Sequence, residues 1–130
     1  MINQKALENA KVMKKEFAGQ IIDCIEDILT DKGYTLRNAD RDDDIESGDI
    51  DVDTTALIYG SDYDLFGDPM VEVIEGMDEN ADPAGIAKKM QDIVHNGLAD
   101  VMPRLNRPVT TLHLEEILGK TLETVNEWLN

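Results

Sequence analysis

The chain is poor in cysteine and histidine, the residue types that support disulfides, thiol chemistry and transition-metal binding. Its 130 residues include one cysteine, Cys24, and two histidines, His95 and His113. A lone cysteine cannot form an intramolecular disulfide, so nothing indicates an oxidising compartment. Because Cys24 lies among apolar residues and has no adjacent cationic residue in the sequence, it is expected to be an inert, buried thiol. An apolar leader after Met1 and any run of about 18 apolar residues are also lacking, so we expect a soluble, cytoplasmic protein with no membrane partner.

Positive charge is scarce, with 12 Lys and Arg against 28 Asp and Glu, a net charge of -16 and a pI of about 4.2. Residues 1–33 and 83–130 are nearly neutral, whereas residues 34–82 carry 2 basic and 16 acidic residues. Affinity for phosphates comes from clustered Lys and Arg, so direct nucleic-acid binding is excluded and a basic, cationic or apolar partner is expected. A disordered acidic loop, or acidity that serves only solubility, remains an open alternative.

Hydrophobic periodicity predicts helices at both ends of a single domain spanning 1–130. Residues 4–31 form one long amphipathic helix, with Asn3 as N-cap and Gly33 as the stop signal. Asp82 is the predicted N-cap of a second helix over 83–101, and Thr110 or Thr111 is the predicted N-cap of a last helix. This part of the chain is expected to be a structural scaffold.

The middle of the chain predicts a small antiparallel β element, which makes the class α+β and helix-dominated. Residues 34–37 read as a short strand, 38–48 as a loop and 49–59 as the best strand. Asp68 and Pro69 have the pattern of an N-cap and a first helical residue, and a short helix is predicted to continue over 70–77. The alternation Val71-Glu72-Val73 leaves a second strand open there.

Metal and catalytic motifs are missing from the sequence. No register satisfies the EF-hand pattern, because Ile45 or Pro83 stands where the loop needs glycine, although a looser divalent-cation site stays open. The pairs Asp92/His95 and His113/Glu116 have metal-like spacing, but His95 falls on a polar helix side and is expected to be solvated. No nucleophile elbow or phosphate-binding loop is present, so we expect no enzyme and no cofactor.

The central acids and their aromatic neighbours are therefore the predicted partner-binding residues. On a strand, alternate aspartates share one face about 6.7 Å apart, which would hold carboxylates in a fixed row that enters a basic cleft as phosphates do. The predicted site residues are Asp40, Asp42, Asp43, Asp44, Glu46, Asp49, Asp51, Asp53, Tyr59, Asp62, Tyr63, Asp64 and Asp68.

In size, single cysteine, pI and acid-rich middle, the chain resembles the small anti-restriction and anti-CRISPR inhibitors that phages and mobile elements make as DNA mimics. The resemblance implies a partner in the bacterial host cytoplasm: a basic nucleic-acid-binding nuclease, either a CRISPR effector or a restriction enzyme. The near-neutral terminal thirds favour an inhibitor whose acidic segment fills one short part of the partner's cleft, which we name a local plug. They disfavour a protein that imitates a DNA duplex along its full length. The alternatives are a phage structural or interaction module with an incidental acidic loop, and a divalent-cation-binding protein; a homodimer is also left open.

Overall fold

The computed structural model describes residues 3–34, 63–105 and 107–129, without the side chains of residues 63–65 and 104. These residues form five α-helices and one short 3-10 helix. The elements are α1 (Gln4–Val12), α2 (Lys14–Asp31), α3 (Tyr63–Glu75), α4 (Pro83–Val101), the 3-10 turn Met102–Arg104 and α5 (Thr111–Leu129).

The predicted α+β class is wrong, because the described part of the chain is 82% helical and contains no β-strand. Of the candidate strand at 34–37 only Tyr34 is described, three residues after the end of α2, and the candidate strand at 49–59 lies wholly outside the described residues. The alternating segment Val71-Glu72-Val73 lies inside α3. A three-residue alternation is outweighed there by the four-residue repeat of Phe66, Met70 and Ile74, which gives a helix a continuous buried side.

The predicted long N-terminal helix is present but bends at Met13. Asn3 caps α1 as predicted, since its Oδ1 accepts a hydrogen bond from the Lys5 backbone N–H at 2.8 Å. Met13 has φ -105° and ψ 33°, which separates α1 from α2, although Met13 still bonds to Asn9 and Phe17 through its backbone. Gly33, at φ 83°, ends the helical pair as predicted because that backbone conformation favours glycine.

Helix α3 begins earlier than predicted. Its first residue is Tyr63, so Asp68 is not an N-cap and Pro69 lies inside the helix. The two other predicted caps are confirmed. The Asp82 side chain accepts from the Ala84 N–H before α4, and Thr110 Oγ1 accepts from the His113 N–H at the start of α5.

Helices α2, α3, α4 and α5 pack in a ring around one apolar core, each against its two neighbours, and α1 lies against α5. Every helix contributes a stripe at three- and four-residue spacing, which explains why the core is continuous. The fully enclosed side chains include Phe17, Ile21, Ile25, Phe66, Met70, Ile74, Met90, Val94, Ile117 and Val125. None of the described helices has the length and apolar content needed to cross a lipid bilayer.

Candidate interaction surface

Most of the predicted site residues lie outside the described part of the chain. Asp68 is described fully and is exposed on α3, while Tyr63 and Asp64 are described only as backbone in the first turn of that helix. The predicted site residues that lie outside the described part of the chain are Asp40, Asp42, Asp43, Asp44, Glu46, Asp49, Asp51, Asp53, Tyr59 and Asp62.

Among the described side chains of α3, three acids are exposed on its outer side, Asp68, Glu72 and Glu75, which we name the carboxylate row. Their spacing of four and three residues places them one above another, with a rise of about 6 Å per four residues. Asp68 was among the predicted partner-binding residues, whereas Glu72 and Glu75 were not. Their three- and four-residue spacing, out of phase with the apolar stripe, was the signal that could have found them.

The carboxylate row is held on a firmly packed support. Phe66, Met70 and Ile74 on the inner side of α3 are each 0% exposed. The Phe66 ring also meets the backbone of α4 at Gly97, where an added Cβ would lie 2.5 Å from Phe66 Cε1. Because α3 packs this closely against α4, the row keeps a fixed position relative to the core.

Lysines pair with acids on α5, on α4 and in the carboxylate row. Lys120 lies 3.1 Å from Glu123 and Lys88 lies 3.9 Å from Asp92. The hydrogen bond from Lys120 to Glu123 raises the pKa of the lysine. In the row, Glu75 pairs with Lys14 at 3.1 Å, an exposed contact.

The Glu72 carboxylate, by contrast, forms no ion pair within the described part of the chain. Since the sequence has no Lys or Arg from Asp42 to Ala87, cationic partners for the row must come from another part of the fold or from another molecule.

A cleft of about 350 Å³ lies where the end of α3 meets the start of α4. We name it the acidic cleft. The Asp78 carboxylate accepts from the Asn80 N–H at 2.9 Å and Asp82 caps α4, so the local backbone orients both groups. The lining consists of Glu72, Val73, Gly76, Met77, Asp78, Ala81, Asp82, Gly85, Ile86 and Lys89.

Tyr34, predicted to start a strand, instead ties the end of α2 to the start of α5. Its buried hydroxyl lies 2.9 Å from His113 Nδ1, accepts from the Thr110 N–H at 3.2 Å and bonds to the Pro108 carbonyl at 3.3 Å. The Arg107 guanidinium covers the ring at 4.0 Å and donates to the Lys32 carbonyl. These contacts join residues about 75 positions apart, so no local pattern in the sequence could indicate them.

The histidines and the cysteine occupy ordinary structural positions. His95 is exposed, as predicted, and His113 is partly buried against Tyr34. Cys24, predicted to be a buried thiol, is only partly buried, with its Sγ 3.7 Å from Thr124 Oγ1. Across residues 3–34, 63–105 and 107–129, no three His, Cys, Asp or Glu side chains form a group that could hold a metal ion.

No protein-family model, curated protein or solved structure matches the chain. The chemistry of the described surface is that of fixed anionic acceptors. Ionised carboxylates accept hydrogen bonds and donate none, and their geometry suits the paired N–H groups of a guanidinium. The arrangement is therefore suited to binding a basic partner.

Proposed function

We propose that this protein is an acidic inhibitor that presents carboxylates, as a nucleic-acid mimic, to the basic cleft of a bacterial defence nuclease. The observation that carries the proposal is the carboxylate row, which places Asp68, Glu72 and Glu75 on the exposed side of a helix whose other side is buried. Anions held in order on a packed helix lose little freedom when they meet a cationic groove, and this favours binding.

The linear charge density of the row supports a local plug, which fills one short part of a basic cleft. Duplex DNA carries one negative charge per about 1.7 Å of axis, whereas acids spaced four residues apart on a helix provide one per about 6 Å. The row therefore has roughly a quarter of the linear charge density of a duplex. That suits a compact arginine pocket, such as the pocket that reads the short motif beside a CRISPR target, better than a long channel.

The overall charge supports fast association with a basic protein. A net charge of -16 attracts cationic surfaces over a distance of about a Debye length, roughly 8 Å at physiological ionic strength. Once the surfaces meet, carboxylate–guanidinium pairs with two parallel hydrogen bonds supply orientation. Binding of this kind weakens as salt rises.

A second candidate function is that of an interaction module which docks through apolar helix surface. Val12 at the end of α1 is 83% exposed and Leu112 at the start of α5 is 66% exposed. Docking through such residues depends on apolar burial and responds little to salt. The salt dependence of binding therefore separates the two candidates.

The proposal is tested by DNA-cleavage assays with a panel of purified restriction enzymes and CRISPR effector nucleases. At low salt, the chain is expected to inhibit at least one of them, and excess non-cleavable duplex DNA is expected to relieve the inhibition by competing for the same cleft. Inhibition that excess DNA does not relieve, or the absence of inhibition across the panel, would contradict nucleic-acid mimicry.

A further inference from the structure

We propose that the acidic cleft receives one arginine side chain of the basic partner, an inference that rests on the proposed function and gives it a specific anchor. At about 350 Å³, the cleft falls within the range of about 300–1,000 Å³ typical of small-ligand sites. Its lining combines the apolar side chains of Val73, Met77 and Ile86 with carboxylates. An arginine has the matching structure, an apolar stem that ends in a cation.

Charge complementarity selects a cationic occupant. Glu72, Asp78 and Asp82 line the cleft together with one cation, Lys89, which leaves two negative charges in excess. None of the three carboxylates forms an ion pair within residues 3–34, 63–105 or 107–129. A cation from another molecule would neutralise this excess.

Arginine fits this lining better than lysine. Its planar guanidinium is less strongly hydrated than an ammonium group, so it gives up less hydration on entering a cleft that is partly apolar. It also presents five N–H donors in a fixed fork, which allows it to bond to two carboxylates at once. Lysine, a compact and strongly hydrated charge, lacks both advantages.

The acidic cleft continues the carboxylate row. Glu72 belongs to both, so a basic segment bound along α3 reaches the cleft without leaving the acidic surface. The row then supplies general attraction and alignment, and the cleft supplies a fixed position for one side chain. This division of roles allows separate tests of the two parts.

The direct test is an NMR titration of the full-length, 15N-labelled chain with an acetylated and amidated alanine–arginine repeat peptide. We expect saturable shifts of the Gly76 and Gly85 backbone amides, which line the cleft. The same peptide with lysine is expected to bind more weakly, and the uncharged citrulline peptide is expected to leave both amides unshifted. Equal binding of the lysine peptide, or of the citrulline peptide, would overturn the assignment.

A cleft-filling variant separates this inference from the proposed function. Gly85→Leu leaves the net charge unchanged, and a Cβ at Gly85 would have no neighbouring atom closer than 3.8 Å, so the fold is expected to accept it. We expect it to weaken arginine-peptide binding by about tenfold, the equivalent of one lost charge-assisted contact. Ala84→Leu is the control, because Ala84 is exposed on the same turn but does not line the cleft.

The outcomes of the two tests are distinct. If Gly85→Leu binds the arginine peptide as tightly as the unaltered chain while Asp68→Asn/Glu75→Gln, which changes the two row positions outside the cleft, weakens binding, the cleft assignment is wrong and the proposed function stands. If neither change affects binding, both proposals fail. Should Gly85→Leu lower the melting temperature and fail to fold, the comparison of arginine, lysine and citrulline peptides on the unaltered chain still decides the assignment.

Discussion

At the scale of single residues, the contact between Gly97 and Phe66 sets the distance between α3 and α4. A methyl group at Gly97 would lie 2.5 Å from Phe66 Cε1 and 2.8 Å from its Cζ, so Gly97→Ala must displace a fully buried ring. We expect a loss of about 1–3 kcal/mol in the free energy of unfolding, measured by chemical denaturation.

Gly119→Ala is the matched control for this prediction. An added Cβ at Gly119 meets no atom within 4 Å, and the residue lies in the interior of α5. The alanine is expected to stabilise the protein by about 0.5–1 kcal/mol through its better helix propensity. If the two substitutions changed stability alike, close packing at Gly97 would not govern the approach of α3 and α4.

The hydroxyl of Tyr34 provides a second prediction at the residue scale. Tyr34→Phe removes the acceptor of the Thr110 N–H and the partner of His113 Nδ1. The loss is expected to lower the free energy of unfolding by about 1–3 kcal/mol, the usual cost of leaving a polar group unsatisfied. His95→Asn, at an exposed histidine, is expected to change it by less than about 0.5 kcal/mol. Equal stability of Tyr34→Phe and the unaltered chain would show that the hydroxyl does not tie α2 to α5.

At the scale of elements, the carboxylate row is unfavourable for the helix that carries it. Like charges four residues apart destabilise a helix by about 0.2–0.5 kcal/mol per pair. Glu72→Lys converts the repulsion with Asp68 and Glu75 into attraction, so we expect the free energy of unfolding to rise by about 0.5–1 kcal/mol, measured by thermal or chemical denaturation. A more stable variant with weaker partner binding would indicate that the row serves binding at the expense of stability.

Glu115→Lys tests whether the stability gained by Glu72→Lys comes from removing repulsion within the row or only from the less negative net charge. Glu115 is exposed on α5, and its neighbours three and four residues away are Thr111, Leu112, Leu118 and Gly119, none of them charged. The substitution changes the net charge by the same amount and is expected to leave stability nearly unaltered. A gain as large as that of Glu72→Lys would mean that net charge alone is responsible.

The sequence predicted those elements whose apolar stripes are long and clearly capped. Helix α4 follows Asp82, begins at Pro83 and carries Ile86, Met90 and Val94, so its predicted bounds were correct. The bend at Met13 was missed because no Gly or Pro marks it. The start of α3 was missed because Asp68 and Pro69 imitate a helix start while lying inside the helix.

The candidate site was less predictable than the helices, for physical reasons. Asp68 was predicted because it lies in an acidic stretch of the sequence. Glu72 lies on the same side as Asp68 only if residues 70–77 form a helix, and the sequence left a strand open there. The acidic cleft requires the loop after α3 to bring Met77 and Ile86 together, which is a tertiary arrangement. No pattern within a single segment specifies such a contact.

At the scale of the whole molecule, self-repulsion should make stability depend on salt. The Debye length falls from about 10 Å at 0.1 M salt to about 3 Å at 1 M, so added NaCl screens the repulsion produced by a net charge of -16. We expect the melting temperature to rise over this range of NaCl concentration. A melting temperature that is unchanged, or that falls, would mean that the acids are too far apart to repel one another.

A row-neutralised variant tests whether the salt dependence of the melting temperature arises from the acids on α3. The variant Asp68→Asn/Glu72→Gln/Glu75→Gln removes the row, and Glu16→Gln/Asp27→Asn/Glu115→Gln removes three exposed acids from α2 and α5 instead. Both lower the negative charge equally. The melting temperature of the first is expected to respond less to salt than that of the second, since closely spaced charges contribute most to the repulsion.

The central claim is that the carboxylate row occupies a cationic groove which otherwise holds nucleic acid. It is tested most directly by the equilibrium affinity of these two triple variants and the unaltered chain for a nuclease that the chain inhibits, measured at low and high salt. We predict that the row-neutralised variant binds at least about tenfold more weakly at low salt, with a shallower salt dependence, while the control binds like the unaltered chain. Equal affinities and equal salt dependence for the two variants would contradict the claim.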